Sequence, residues 1–257
     1  MTRLERALAR LAGAERLLVA SDFDGTLSPI ADLPAAARPD AVACGALQAI
    51  GKLPDTHAAI LSGRARAVLR DLLGRQAEGV LLVGSHGAEI EGEAVLSPAR
   101  LRLRDQLAAD LEAIAARQPG AVVERKPVGA AFHYRGVAVD ARAAVVREVV
   151  RGPGRRAGVR LREGRKVVEL VVVPADKGRA LERLRRSLNI TATLFLGDDR
   201  TDEDAFALLD PLDLGVKVGR GATRAAVRIG AQNEVGPLLR RLHELRSERI
   251  LGQRSGP

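Results

Sequence analysis

A chain of 257 residues, 46% hydrophobic and 28% charged, has the composition of a globular protein with a sizeable core in one or two domains, and no apolar run nears the ~20 residues that a membrane span needs. Its net charge of +9 arises from 41 basic residues, 36 Arg and 5 Lys, against 32 acidic ones. Such an Arg bias beside abundant Ala and Gly is what compositional drift of a genome can produce, and five aromatic residues are too few for a base-stacking platform, so nucleic acid is not an expected partner. The single cysteine, Cys44, excludes an intrachain disulfide and a cysteine-rich zinc site.

Residues 1–16 alternate Arg and Glu with Leu and Ala, the pattern of an amphipathic helix rather than a signal peptide; the cytoplasm is the expected location. Residues 17–23 then read as a buried strand running into Asp22 and Asp24. A second run, 58–61, ends at Ser62-Gly63-Arg64 and is followed by a helix to about Leu73. A third, 80–83, ends at Gly84-Ser85-His86-Gly87. Residues 97–173 read differently: a helix (98–117), two strands (121–126 and 130–135) with Gly129 near their turn, a second helix (140–151) and two more strands (158–162 and 166–172). This repeated helix-strand-strand pattern is that of a compact α+β unit. The first pattern then resumes with a helix over 179–188 and strands over 193–196, ending at Gly197-Asp198-Asp199, and 214–218, ending at Gly219. Strands alternating with helices predict a parallel sheet covered on both faces, with ligands outside the carboxyl ends of the strands. The expected organisation is a core of residues 1–96 and 174–257 interrupted by an inserted domain, 97–173. That insert carries 16 basic and 8 acidic side chains, the remainder 25 and 24. A basic insert suits an anionic ligand; a solvated Arg-rich surface explains it equally.

The strand ends hold the chemistry. Asp22 and Asp24, at i and i+2 before Gly25-Thr26, can bind Mg²⁺ through hard oxygen ligands, attack phosphorus to form an aspartyl-phosphate, or exchange a proton with a leaving hydroxyl and a water. Alone, the same pattern suits a solvated loop or a divalent site of another enzyme class. In Asp198-Asp199-Arg200-Thr201-Asp202-Glu203-Asp204, crowded carboxylates repel unless a cation neutralises them. A helix N-terminus accounts for Asp202, Glu203 and Asp204, but not so readily for Asp198 and Asp199. Asp176 is a good N-cap, and Lys177 beside it opposes the helix dipole unless it faces an anion. Ser62-Gly63 offers a hydroxyl and N–H groups to phosphate. Taken singly, Ser62 and Lys177 are residue types that serve structure more often than chemistry.

Together, an acid pair, then Ser, Lys and an acidic cluster, each at a strand end or helix start, resemble the haloacid dehalogenase superfamily of phosphohydrolases. The resemblance implies a Rossmann-like α/β core with an inserted α+β cap. It implies Asp22 as nucleophile and Mg²⁺ ligand, and Asp24 as acid/base that binds Mg²⁺ through its backbone carbonyl. Ser62, Gly63 and Lys177 would hold the phosphoryl group, and Asp198 would complete the metal site with Asp199 and Asp202 beside it. Positioning and charge neutralisation of this kind fit phosphoryl transfer.

Finer segments resemble the trehalose-6-phosphate phosphatase family: Leu61-Ser62-Gly63-Arg64; Gly84-Ser85-His86-Gly87-Ala88-Glu89; Glu124-Arg125-Lys126 with Phe132-His133-Tyr134-Arg135; Lys166-Val167-Val168-Glu169; GDDRTDEDAF from Gly197; and Val216-Lys217-Val218-Gly219. The resemblance runs from about Leu17 to Arg228. It implies a sugar phosphate substrate hydrolysed in trehalose biosynthesis by an Mg²⁺-dependent enzyme; a monomer is expected. In it, Glu124, Lys126 and Glu169 hydrogen-bond glucose hydroxyls, with Arg64, His86, Glu89, His133 and Arg135 near the cleft. From the residues alone, Glu124 and Glu169 read equally as solvent-facing strand residues, and His133 as a structural histidine. The sequence departs from the family after Glu169, where Leu170-Val171-Val172-Val173-Pro174 lacks the usual basic residue before Pro, so a polar contact from position 171 is not expected. A phosphatase for another sugar phosphate, such as sucrose phosphate or mannosylglycerate phosphate, would share the core. A basic nucleic-acid-binding protein on a degenerate fold would not need the acid pair, Lys177 and Asp198 all intact.

Overall fold

The computed structural model describes residues 2–31, 33, 36–90, 96–173 and 176–254. It has two compact units, Met1–Glu91 with Asp176–Pro257, and Gly92–Ala175. Pro174, at the expected return to the first domain, lies outside the described residues.

The first unit begins with α1 (Arg3–Ala12), shorter than the expected helix because Thr2 caps its start and Gly13 closes it. Then follow β1 (Leu17–Ser21), α2 (Ala41–Gly51), β2 (Thr56–Leu61), α3 (Arg66–Leu73) and β3 (Val80–Val83). The second unit consists of α4 (Pro98–Ala115), β4 (Val122–Lys126), β5 (Gly129–His133), α5 (Arg142–Arg151), β6 (Arg160–Gly164) and β7 (Val167–Val171). The first unit resumes with α6 (Lys177–Ser187), β8 (Ala192–Gly197), α7 (Glu203–Phe206), β9 (Leu214–Val218), β10 (Val227–Ile229) and α8 (Val235–Arg254). The sequence reading did not foresee α2, β10 or α8. Among the described residues no helix is long and apolar enough to cross a membrane.

In the first unit six parallel strands lie in the order β10-β9-β8-β1-β2-β3. All five residues of β1 are buried, as a strand covered on both faces requires. Alternate side chains part to opposite sides. Leu17 and Val19 join Leu194 and Leu196 in a core with α1, α2, α3 and α8. Leu18 and Ala20 join Phe195 in another, with Ala180, Leu181 and Leu184 of α6 and Phe206 of α7. From β1 the sheet extends one way through β2 and β3, and the other way through β8, β9 and β10. The carboxyl ends of β1 and β8 thus flank the topological switch point, where such sheets bind ligands.

The second unit is an antiparallel sheet, β4-β5-β7-β6. One face packs Ala130, Phe132, Val168 and Leu170 against Leu107, Leu111 and Ile114 of α4 and Val145 and Val149 of α5. Gly129 lies at the turn, as expected, as the first residue of β5, paired with Lys126. Pro127 and Val128 form the connection, and the Val128 carbonyl accepts from Val172 N–H at 2.9 Å. Val171 and Val172 are buried, so the departure from the family pattern supplies apolar core.

Candidate active site

Asp22 is the first residue beyond β1. Its N–H donates to the Leu196 carbonyl of β8 at 2.8 Å, which ties the nucleophile candidate to the neighbouring strand. The Phe23 carbonyl accepts from Leu27 and Ser28 N–H, both at 2.9 Å, and this turns the chain sharply. Gly25 sits in that turn at φ +86, a conformation that glycine adopts without steric cost. A Cβ there would lie 2.1 Å from Asp198 Oδ2, so the missing side chain also admits the Asp198 carboxylate.

Lys177 opens α6 behind its N-cap Asp176, whose carboxylate accepts from Arg179 N–H at 3.1 Å. The Lys177 ammonium is 2% exposed and lies 2.7 Å from Asp22 Oδ1 and 2.8 Å from Asp202 Oδ1. A cation at a helix N-terminus is disfavoured by the dipole; two buried carboxylates offset that cost. Gly178 allows this close packing, since a Cβ there would meet the Asp204 carbonyl at 2.4 Å.

Asp22, Asp198 and Asp202 each bring a carboxylate oxygen within 4.8 Å of one another. Burial pushes the Asp22 carboxyl well up; Lys177 pulls against it, while Asp202 and Asp198 add to the rise. Asp198 is pushed up to about 6 by burial, reinforced by Asp202 and Asp199. Lys177 is raised: burial works against its charge, but Asp202 and Asp22 outweigh it. The three acids differ in how far they are satisfied. Asp202 accepts from Lys177 and, at 2.9 Å, from Asp199 N–H. Asp198 Oδ1 is buried without a hydrogen-bond partner, which is costly for a carboxylate. Lys217, a buried lysine near the end of β9, donates its ammonium to the Asp198 backbone carbonyl. Asp199 stands outside this cluster; its carboxylate accepts from Arg200 N–H at 2.6 Å and caps the following turn.

Ser62 follows β2, and the β1–β2 register, with Ser21 opposite Ile60, brings Asp22 and Ser62 to adjacent strand ends. The buried Ser62 hydroxyl accepts from Arg64 N–H at 3.1 Å. Its carbonyl accepts from His86 N–H at 2.8 Å. The His86 ring lies directly over Gly63, with Nε2 2.5 Å from where a Cβ would be. Ser85 and His86 both have positive φ, 48 and 54, a strained turn for non-glycine residues. Glu89 holds it: one oxygen accepts from the Ser85 hydroxyl, the other from Arg66 N–H at 3.3 Å. Expected near the sugar, Glu89 spends both oxygens bracing the turn and the start of α3. Arg64 forks onto Asp24, with Nε 2.8 Å from Oδ2 and an Nη 2.7 Å from Oδ1.

In the second unit, Glu124 and His133 pair at 3.0 Å, and Lys126 and Glu169 at 2.8 Å. Burial opposes ionisation of Glu124, but His133 and Lys126 outweigh it and hold the carboxyl below its ordinary range. The register aligns Glu124, Ala131, Glu169 and Arg162 in one row across the four strands, on the face turned away from α4 and α5. Arg135 lies past the end of β5, with its carbonyl accepting from Arg142 at 2.7 Å. Sequence reasoning passed over Lys217 and Arg162 as site residues. A charge inside an apolar strand was the signal for Lys217; Arg162 needed the pairing register.

The model of the trehalose-phosphatase family matches residues 20–233. A trehalose-phosphate phosphatase of Mycobacterium marinum is 37% identical over 238 residues, covering 85% of this chain and 59% of that protein. One of Mycolicibacterium paratuberculosis is 42% identical over 206 residues, covering 72% and 49%. The chain thus spans about half of these relatives' length. The C-terminal domain of a Candida albicans trehalose-6-phosphate phosphatase superposes with a TM-score of 0.79 at 23% identity, covering 95% of this chain and 97% of that one, a likeness of fold.

Proposed function

Since the chain belongs to the trehalose-phosphatase family, we propose that it hydrolyses trehalose 6-phosphate to trehalose and inorganic phosphate, with Asp22 as nucleophile. The observation that carries this reading is the buried chain of contacts from Asp22 through Lys177 to Asp202, beside the unsatisfied oxygen of Asp198. Lys177 pulls Asp22 toward its carboxylate form against the effect of burial and supplies positive charge for phosphoryl oxygens. Ser62 and Gly63, at the neighbouring strand end, offer a hydroxyl and an N–H to the same group. Asp24 gives a proton to the leaving sugar oxygen and later takes one from the attacking water. Glu124, Lys126, His133 and Glu169 present the donors and acceptors that a neutral disaccharide needs.

The donor set fits Mg²⁺: hard carboxylate oxygens and a buried Asp198 oxygen awaiting a partner. Asp22, Asp198 and the Asp24 backbone carbonyl would hold it, with Asp202 and Asp199 steadying the loop. Bound there, Mg²⁺ neutralises charge on the phosphoryl oxygens.

The test is phosphate release with Mg²⁺ present. Trehalose 6-phosphate should be cleaved much faster than glucose 6-phosphate or sucrose phosphate; comparable rates on all three would sink the substrate assignment. Asp22→Asn should abolish release with the fold intact, and retained turnover would remove Asp22 as nucleophile.

A further inference from the structure

Arg64 stands out among the residues expected to meet sugar, because two of its N–H groups are directed at Asp24. They donate to the two carboxylate oxygens at 2.8 and 2.7 Å, the bidentate geometry in which a guanidinium fixes both the position and the plane of a carboxylate. The arginine is itself held. Its guanidinium carbon lies 5.6 Å from the centroid of the Phe23 ring, its own N–H rests on the Ser62 hydroxyl, and its side chain is 12% exposed. The Asp24 side chain remains 39% exposed, open to a ligand. Its backbone is fixed as well, through a bridge to Ser28.

We propose that Arg64 is a positioning residue for Asp24, holding its carboxyl in the rotamer from which it serves the leaving oxygen and the water, rather than a ligand of the sugar. This rests on the phosphatase reading above. In the first step an Asp22 oxygen bonds to phosphorus, the bond from phosphorus to the sugar oxygen breaks, and the Asp24 proton passes to that oxygen. In the second, water attacks phosphorus, its proton passes to Asp24, and the bond between Asp22 and phosphorus breaks. Both transfers need the Asp24 carboxyl in one place, and misplacement of a catalytic group by even an ångström is costly.

The experiment compares kcat/KM, which reports the first step, on trehalose 6-phosphate and on p-nitrophenyl phosphate, whose leaving group departs without a proton. General acid catalysis contributes about 10²–10⁴-fold. Asp24→Asn should therefore lower kcat/KM on the sugar ester by about 100-fold or more, and Arg64→Leu by about 10-fold or more. On the nitrophenyl ester each should cost roughly 3-fold or less. The double variant should be no worse than Asp24→Asn alone, the mark of two residues acting as one unit. Multiplying losses in the double variant would overturn the proposal, as Arg64 would then act on the substrate itself; a faster Arg64→Leu enzyme would also overturn it. Should Arg64→Leu lose both esters alike, as an unfolded variant would, Arg64→Lys decides. Its charge without the fork should give a selective partial loss, and an equal loss on both esters, or none, would overturn the assignment. Absence of Asp22-dependent release from either ester by the unaltered protein would instead overturn the phosphatase reading, and this proposal with it.

Discussion

At the scale of the residue, the site is a balance of buried charges in which each partner justifies another. Lys177 is tolerated in the interior because Asp22 and Asp202 face it, and they are tolerated because it faces them. Replacing one member of such a set leaves uncompensated charge, which costs about 3–5 kcal/mol where burial is complete. Lys177→Met, similar in shape, should therefore lower stability at neutral pH by about 3 kcal/mol or more in urea unfolding with chelator present. An unchanged unfolding midpoint would mean that the ammonium does not neutralise this cluster. Asp22, Ser62, Lys177 and Asp198 were legible in the sequence, because each stands at the end of an apolar run or the start of a helix. The fork between Arg64 and Asp24 was not legible, nor was the grip of Lys217 on the Asp198 carbonyl. Both are contacts across the fold that no spacing along the chain records.

At the scale of the element, periodicity succeeded where one environment covers a whole segment. Residues 80–83 are a continuous apolar run, and 214–218 are one broken only by Gly215 and Lys217; they form β3 and β9 with the expected limits. β10 has three residues at a sheet edge, too few for any period to show. Helix α2 runs Ala-Val-Ala-Cys-Gly-Ala-Leu and lacks a polar stripe in its first two turns, so its alternation is faint, although Asp40 caps it through the N–H groups of Val42 and Ala43. Helix α8 misleads in another way. Its Arg246, which any polar/apolar reading turns toward solvent, is buried and donates to the carbonyls of Ala12, Ala14 and Asp55. In the second unit, the strand register decides which residues share a face. Glu124→Ala and Glu169→Ala should each lower kcat/KM for trehalose 6-phosphate by roughly 10-fold or more, as expected where a buried polar partner is left unpaired, with a smaller loss on p-nitrophenyl phosphate. Equal losses on both esters would make these residues structural.

At the scale of the whole molecule, the carboxylate cluster links folding stability to proton binding and, with the proposed Mg²⁺, to metal. Burial, with Asp202 and Asp199, pushes Asp198 up to about 6 in the folded protein, against about 3.9 unfolded. The folded state therefore binds this proton more tightly, and the group's contribution falls as pH rises from about 4 to about 6, then stays low. A ligand that prefers the carboxylate reverses that trend. Mg²⁺ should thus raise the melting temperature of the full chain more at about pH 7.5 than at about pH 5, where protons compete for the same oxygens. Scanning calorimetry with and without Mg²⁺ checks this, and an equal shift at both values would place the metal elsewhere. The order of the central sheet has a temporal consequence. β1 lies between β2 and β8, and Asp22 leans on the Leu196 carbonyl, so the strand that carries Asp22 is completed by a partner made long after it. At about 5–20 residues per second of synthesis, the ribosome delivers β8 roughly 10–35 seconds after β1. Throughout that interval one edge of a strand whose five residues all end up buried stands open, and the inserted unit is made before the edge can close.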